Sequence, residues 1–163
     1  MNLLPPNEEW PMGLPRQPNP DEQAYGVQLQ LHPSLIYPYT NLNLRLQRLG
    51  HDPRTMQAWR SAVMQAELWA KGRTTPGPIV THARPGSSPH ENTENGKPAA
   101  LAFDIAPVIG HHIYWPTDLL SAPFWSDVRD SAKMLGLLWG GNFKNPPGDY
   151  GHIQSPYFTG IKK

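Results

Sequence analysis

The sequence predicts an α+β domain. Two segments with helical spacing of apolar residues are bounded by cap and stop residues, and two short runs rich in β-branched and apolar residues lie between them. The 163 residues suffice for one domain with a real core and are too few for two comfortable ones. Residues 1–39 read as an irregular N-terminal arm, because "MNLLPPNEEWPMGLPRQPNP" holds six prolines in twenty residues and each lacks a backbone donor. The domain itself then covers 40–163. In "YTNLNLRLQRLG", Leu42, Leu46 and Leu49 fit a helical face and Leu42, Leu44 and Leu46 fit strand alternation; the helix is preferred, with Gly50 closing it. Asp52 as cap and Pro53 at the first helical position open a helix expected to run from Pro53 to Lys71 and stop at Gly72. "GPIVTHA" and "ALAFDIAPV" are expected strands, the second with Leu101, Phe103 and Ile105 on one face and Ala102 and Asp104 on the other. A last helix is expected from about Pro123, carrying Phe124, Val128 and Leu135 inward and ending at Gly136.

Composition narrows the chemistry. Lys and Arg number 14 against 13 Asp and Glu, so no general electrostatic support exists for binding nucleic acid or a membrane surface. There is no cysteine. Disulfide scaffolds, redox thiols and thiolate zinc sites are thereby excluded, and His, Asp and Glu remain as metal ligands. The sequence shows neither a signal-peptide pattern nor an apolar run approaching ~20 residues, which points to synthesis in a cytoplasm.

The polar residues carry the function. Asp104 lies within an apolar strand, where a carboxylate needs a hydrogen bond, a charge partner or a metal; a structural and a ligand role are equally compatible with that position. His90 follows Pro89 in a loop, where a histidine is most often simply solvated. His152 follows a Gly- and Pro-rich turn at a strand start. Two histidines and one aspartate make a set of three protein ligands of the kind a catalytic zinc uses. His111 and His112 are adjacent, so on a strand they face opposite sides and belong to a loop or surface.

Three blocks resemble a known family, the zinc peptidases of the D-alanyl-D-alanine carboxypeptidase and L-alanyl-D-glutamate endopeptidase type, particularly phage endolysins. "WRSAVMQAELWAKGRTTPGPIVTHARPGSSPH" (59–90) resembles the family's stretch ending in Ser-x-His, "ALAFDIAP" (100–107) its Gly-x-Ala-x-Asp block, and "LGLLWGGNFKNPPGDYGHIQ" (135–154) its Trp-Gly-Gly block followed by Asp-x-x-His. The resemblance implies a hedgehog/DD-peptidase-like fold, a small antiparallel sheet carrying a zinc site with helices packed on one side. It further implies that His90, Asp104 and His152 bind Zn2+, that Asp149 is the general base, that Arg60 stabilises the oxyanion, and that Ser88 and Trp139 contribute to substrate binding. Two departures stand out: thirteen residues separate His90 from Asp104 where the family has a shorter spacer, and Ala100 replaces its glycine. Glu91 and His82 are the alternative ligands this lengthened loop allows.

The function so implied is hydrolysis of the peptidoglycan stem peptide, between L-alanine and D-glutamate, by a monomeric phage endolysin that reaches the wall through a holin. The alternatives are a D-Ala-D-Ala carboxypeptidase or dipeptidase, and a zinc-containing wall-binding module without catalysis. No nucleic-acid partner and no membrane insertion are expected.

Overall fold

The computed structural model describes residues 26–114, 121–144 and 148–158. The proline-rich arm therefore lies outside the described residues up to position 25. Within them, helix α1 spans Pro33–Arg48, β1 Pro53–Gln57, α2 Ala62–Ala70, β2 Thr93–Glu94, β3 Lys97–Pro98, β4 Ala102–Ile109, β5 His112–Ile113, α3 Ala122–Met134, β6 Leu138–Trp139 and β7 His152–Gln154. The main sheet runs β1-β4-β7-β6, with β5 pairing β4, and every ladder in it is antiparallel. Strands β2 and β3 form a separate hairpin in the long connection between His90 and Asp104.

The core forms between one face of this sheet and two helices. Leu35, Tyr39, Leu42 and Leu46 recur every three or four residues on α1, and all are buried. They meet Phe103, Ile105 and Ile153 of the sheet and Phe124, Val128 and Ala132 of α3. Tyr39 packs edge-on against Phe103 with ring centroids 5.0 Å apart. Burying each such side chain contributes about 1.5–3 kcal/mol. Among the described residues, no helix is long and apolar enough to cross a membrane.

Strand β4 and the last helix match the sequence reading, Phe124 and Val128 being buried and Leu135 packed against the core. Four expectations need correction. Helix α1 starts at Pro33 instead of near residue 40: Pro33 occupies the first turn, where it sacrifices nothing, and Pro38 is carried inside the helix by packing of the flanking Leu35 and Tyr39. Leu49 is 47% exposed, since the helix has ended by the time that position would return to the core face. Residues 53–57 are a strand, not the start of a helix. Pro53 sits at the first position of an edge strand, which tolerates a missing donor, and pairing with β4 outweighs the local cap signal. The helix proper begins after Ser61, whose hydroxyl accepts from the Met64 N–H at 3.2 Å. Finally, "GPIVTHA" forms no ladder.

Candidate active site

Sheet register brings two of the expected ligands together. Asp104 on β4 stands directly opposite His152 on β7, so their side chains project from one face as a cross-strand pair. Asp104 Oδ1 lies 3.1 Å from His152 Nδ1. His90 arrives from a separate element, the single 3-10 turn Pro89–Glu91. Ser88 caps that turn, its hydroxyl accepting from the His90 N–H at 3.3 Å, and Glu91 closes a capping box by accepting from the Ser88 N–H at 3.0 Å. Glu91 also accepts from the Gly86 N–H at 2.8 Å, so its carboxylate is consumed by the backbone. Neither Glu91 nor His82 joins the ligand cluster, which consists of His90, Asp104 and His152. The lengthened loop contains the β2–β3 hairpin, and His90 and Asp104 at its two ends still come together.

The proton positions decide what this cluster can hold. A backbone carbonyl can only accept, so the 2.6 Å contact from His90 Nδ1 to the Ala58 oxygen fixes the His90 proton on Nδ1. His152 Nε2 lies 2.9 Å from Gln154 Oε1, which accepts its proton in the same way. The lone pairs of His90 Nε2 and His152 Nδ1 then converge on Asp104 Oδ1, at 3.2 Å from each other and 3.4 and 3.1 Å from that oxygen. Three buried or half-buried acceptors this close repel one another unless a proton or a metal cation lies among them. A tetrahedral zinc ion, with bonds of about 2.0–2.1 Å, separates its ligand atoms by about 3.3–3.4 Å, so the donor set fits such an ion in type and spacing. The electrostatics agree. Burial opposes ionisation of Asp104, yet His90 and His152 hold its carboxyl far below the ordinary carboxylate range. Burial likewise opposes charge on His152, yet hydrogen bonding to Asp104, with its negative charge, raises the imidazole above its usual value. The site favours a positive charge between these residues.

Around the ligands lies a cleft of about 570 Å³, lined among others by Arg60, Ser88, Phe143, Asp149 and His152. Arg60 is the third residue past β1; its N–H donates to the His90 carbonyl at 3.1 Å, and Nη2 stands 3.6 Å from Asp104 Oδ2. Its Nε is buried without a partner among the described residues. Asp149 lies at the rim, in the turn whose carbonyl accepts from the His152 N–H at 3.1 Å. The protein packed around its carboxyl raises the Asp149 proton affinity, with His152 opposing and Asp104 adding to the rise. Trp139 does not line this cleft. It is buried behind the turn, its indole N–H donating to the Tyr150 carbonyl at 2.7 Å. The exposed His111 and His112 lie at the β4–β5 turn, away from the cluster.

Gly140 explains how closely this turn can approach. A Cβ there would stand 2.2 Å from the Asp149 carbonyl oxygen and 3.0 Å from His152 Cβ, so only glycine fits. Gly140→Ala is therefore expected to push the Asp149–His152 turn outward, lowering zinc affinity and reducing turnover by up to about 10²-fold, the scale of a misplacement near 1 Å. Metal titration and kinetics on the one variant check it. Unchanged values would mean that the turn relaxes freely.

Three contributors escaped the sequence reading: Gln154, the Ala58 carbonyl and Phe143. Gln154 had a readable signal, because residues two apart on β7 share a face and place it beside His152.

An aspartate and a histidine on an antiparallel sheet and a second histidine on a 3-10 turn, in a cleft also lined by a carboxylate and an arginine, define a metallopeptidase-type centre. No model of a protein family matches the chain. The chain is 32% identical over 137 residues to the peptidoglycan L-alanyl-D-glutamate endopeptidase CwlK of Bacillus subtilis (strain 168), covering 81% of this chain and 77% of that protein. Its fold is similar to that of the Serratia marcescens L-Ala D-Glu endopeptidase ChiX, with a TM-score of 0.52 and 18% identity, over 82% of this chain and 86% of that one. The chain belongs to the peptidoglycan L-alanyl-D-glutamate endopeptidase family.

Proposed function

We propose that the protein is a zinc-dependent peptidoglycan peptidase that hydrolyses the bond between L-alanine and D-glutamate in the stem peptide. The observation that carries this reading is the convergence of the His90 and His152 lone pairs on Asp104, inside an open cleft, in a chain related to an enzyme named for that cleavage. His90 Nε2, His152 Nδ1 and Asp104 would hold the ion. Zinc, when bound, supplies Lewis acidity toward a carbonyl and lowers the pKa of water. Asp149 takes the proton of the attacking water and delivers it to the leaving amine of D-glutamate; its exposed position at the rim lets it do both. Arg60 provides fixed positive charge and hydrogen-bond donors for the oxygen that becomes negative as the tetrahedral carbon forms. Ser88 keeps His90 on its turn and faces the cleft, so it serves positioning and substrate contact together. Trp139 acts through the Tyr150 carbonyl, holding the Asp149 turn.

Arg60→Lys tests the arginine: the charge remains, but the planar fork is lost. Turnover is expected to fall by about 10²-fold with zinc content unchanged, in the range seen when one oxyanion donor is removed. Wild-type turnover in this variant would make Arg60 structural.

The cellular setting we propose is lysis of a bacterial host by a monomeric phage endolysin, supported by the endolysin resemblance of the three sequence blocks. Chelating the metal, then restoring zinc, while following the clearing of purified sacculi tests the reaction itself. Loss and recovery of clearing support it; clearing that persists after complete metal removal contradicts it.

A further inference from the structure

Residues 79–83 have the composition of a strand but no partner strand among the described residues. From residue 81 onward burial alternates, Thr81 and Ala83 half-buried and His82 and Arg84 exposed, which is the period of an extended chain. One edge of this segment is occupied by side chains. The Thr81 carbonyl accepts from Arg73 Nη2 at 3.1 Å, and the Ala83 carbonyl accepts from Gln65 Nε2 at 2.7 Å.

Both donors are fixed in place. Gln65 is fully buried and donates also to Thr81 Oγ1 at 3.2 Å; Arg73 lies over the Trp69 ring at 3.5 Å and donates to the Trp69 carbonyl at 2.7 Å. Where α2 turns into the segment, Gly72 has φ +71, and a Cβ on it would come within 2.7 Å of the Ile79 nitrogen, so the two stretches are held in direct contact. In an extended chain, the backbone groups of alternate residues point to opposite edges. The N–H and C=O of Val80 and His82 thus point away from Gln65 and Arg73, and neither residue has a backbone hydrogen bond among the described residues. All five residues line the cleft that contains His90, Asp104 and His152.

We infer that this free edge is the docking strand for the substrate: the stem peptide lies extended along residues 79–83 and pairs its main chain with Val80 and His82. The inference rests on the peptidase reading and adds the binding mode to it. Strand addition suits the ligand, because main-chain hydrogen bonds supply the affinity and leave the side chains to be read separately. Its occupant is set by continuity, since the edge and the metal ligands are walls of one cleft. Ile79 and Val80, 50% and 49% exposed, offer apolar surface beside the edge for a small side chain such as the methyl of alanine.

The test compares His82→Pro, which lacks the N–H, with His82→Ala, which keeps it; both lack the imidazole. No ladder bond is lost, because His82 makes none, and proline favours an extended residue before it. On a synthetic stem peptide, His82→Pro is expected to show a KM about 3- to 10-fold above that of His82→Ala, the size of one net hydrogen bond, with kcat and zinc content matched. In the wild-type holoenzyme, the Val80 and His82 amides are expected to become protected from hydrogen exchange when a stem-peptide analogue with a reduced scissile amide binds. Exchange decides the matter if the proline variant fails to hold zinc. Equal KM values and unprotected amides, in an enzyme that still cleaves the peptide, would overturn the docking edge and leave the peptidase reading intact. If the wild-type holoenzyme cleaves no stem peptide, the inference falls together with that reading.

Discussion

Asp149→Asn is expected to reduce turnover by about 10²–10⁴-fold, the usual contribution of a positioned general acid or base, while zinc content and folding persist. The amide has the size and shape of the carboxyl but cannot take a proton from water. Asp149 suits this experiment because it lies outside the ligand cluster: three other side chains supply the convergent donor atoms, and its own residue is exposed at the rim. Its backbone anchors the turn through the bond from the His152 N–H, and that bond survives the substitution. Kinetics and metal analysis on the same preparation separate the possibilities. Loss of zinc would make Asp149 a ligand. Full turnover would show that Asp149 is not the general base.

His90→Ala is expected to abolish activity by a different route. The substitution removes one of the three proposed ligands and would leave Asp104 Oδ1 and His152 Nδ1 to hold the ion as a pair. It also leaves the Ala58 carbonyl without its 2.6 Å partner in a buried place, a loss of about 1–3 kcal/mol in stability before any metal is considered. Zinc binding to the folded state alone adds stability that grows with the logarithm of free metal. The wild-type melting temperature should therefore drop on chelation, whereas that of His90→Ala should be low already and insensitive to chelator. A variant that keeps full zinc occupancy and activity would place the third ligand elsewhere.

The sequence carried the candidate ligands further than it carried the framework around them. Asp104 was legible because an acidic residue broke the apolar alternation of β4, and the alternation itself gave its face. His152 and Asp149 stood out by their three-residue spacing after a Gly- and Pro-rich turn, and the roles proposed for them came from the family resemblance. His90 depended on resemblance, because a histidine after a loop proline has no local signature; what fixes it is the carbonyl of Ala58, thirty-two positions away.

Residues 53–57 show why local signals mislead. Asp52-Pro53 is a good helix start, but the backbone groups that follow have a better offer from β4, a partner fifty residues distant that no cap rule can see. Residues 77–83 failed in the opposite sense. Their strand propensity is real, and the fold uses Gln65 and Arg73 in place of a neighbouring strand, which leaves the other edge open at the cleft. Helix α1 shows a third case, where a buried apolar stripe carries Pro38 inside a helix that proline content alone would forbid.

Digestion of purified peptidoglycan by the zinc-loaded protein, followed by mass-spectrometric identification of the new chain ends, tests the central claim most directly. The account requires new C-terminal L-alanine and new N-terminal D-glutamate in equal amounts, both absent from a parallel digest with Asp149→Asn. New ends at D-alanine, or no new ends in the presence of bound zinc, would contradict it.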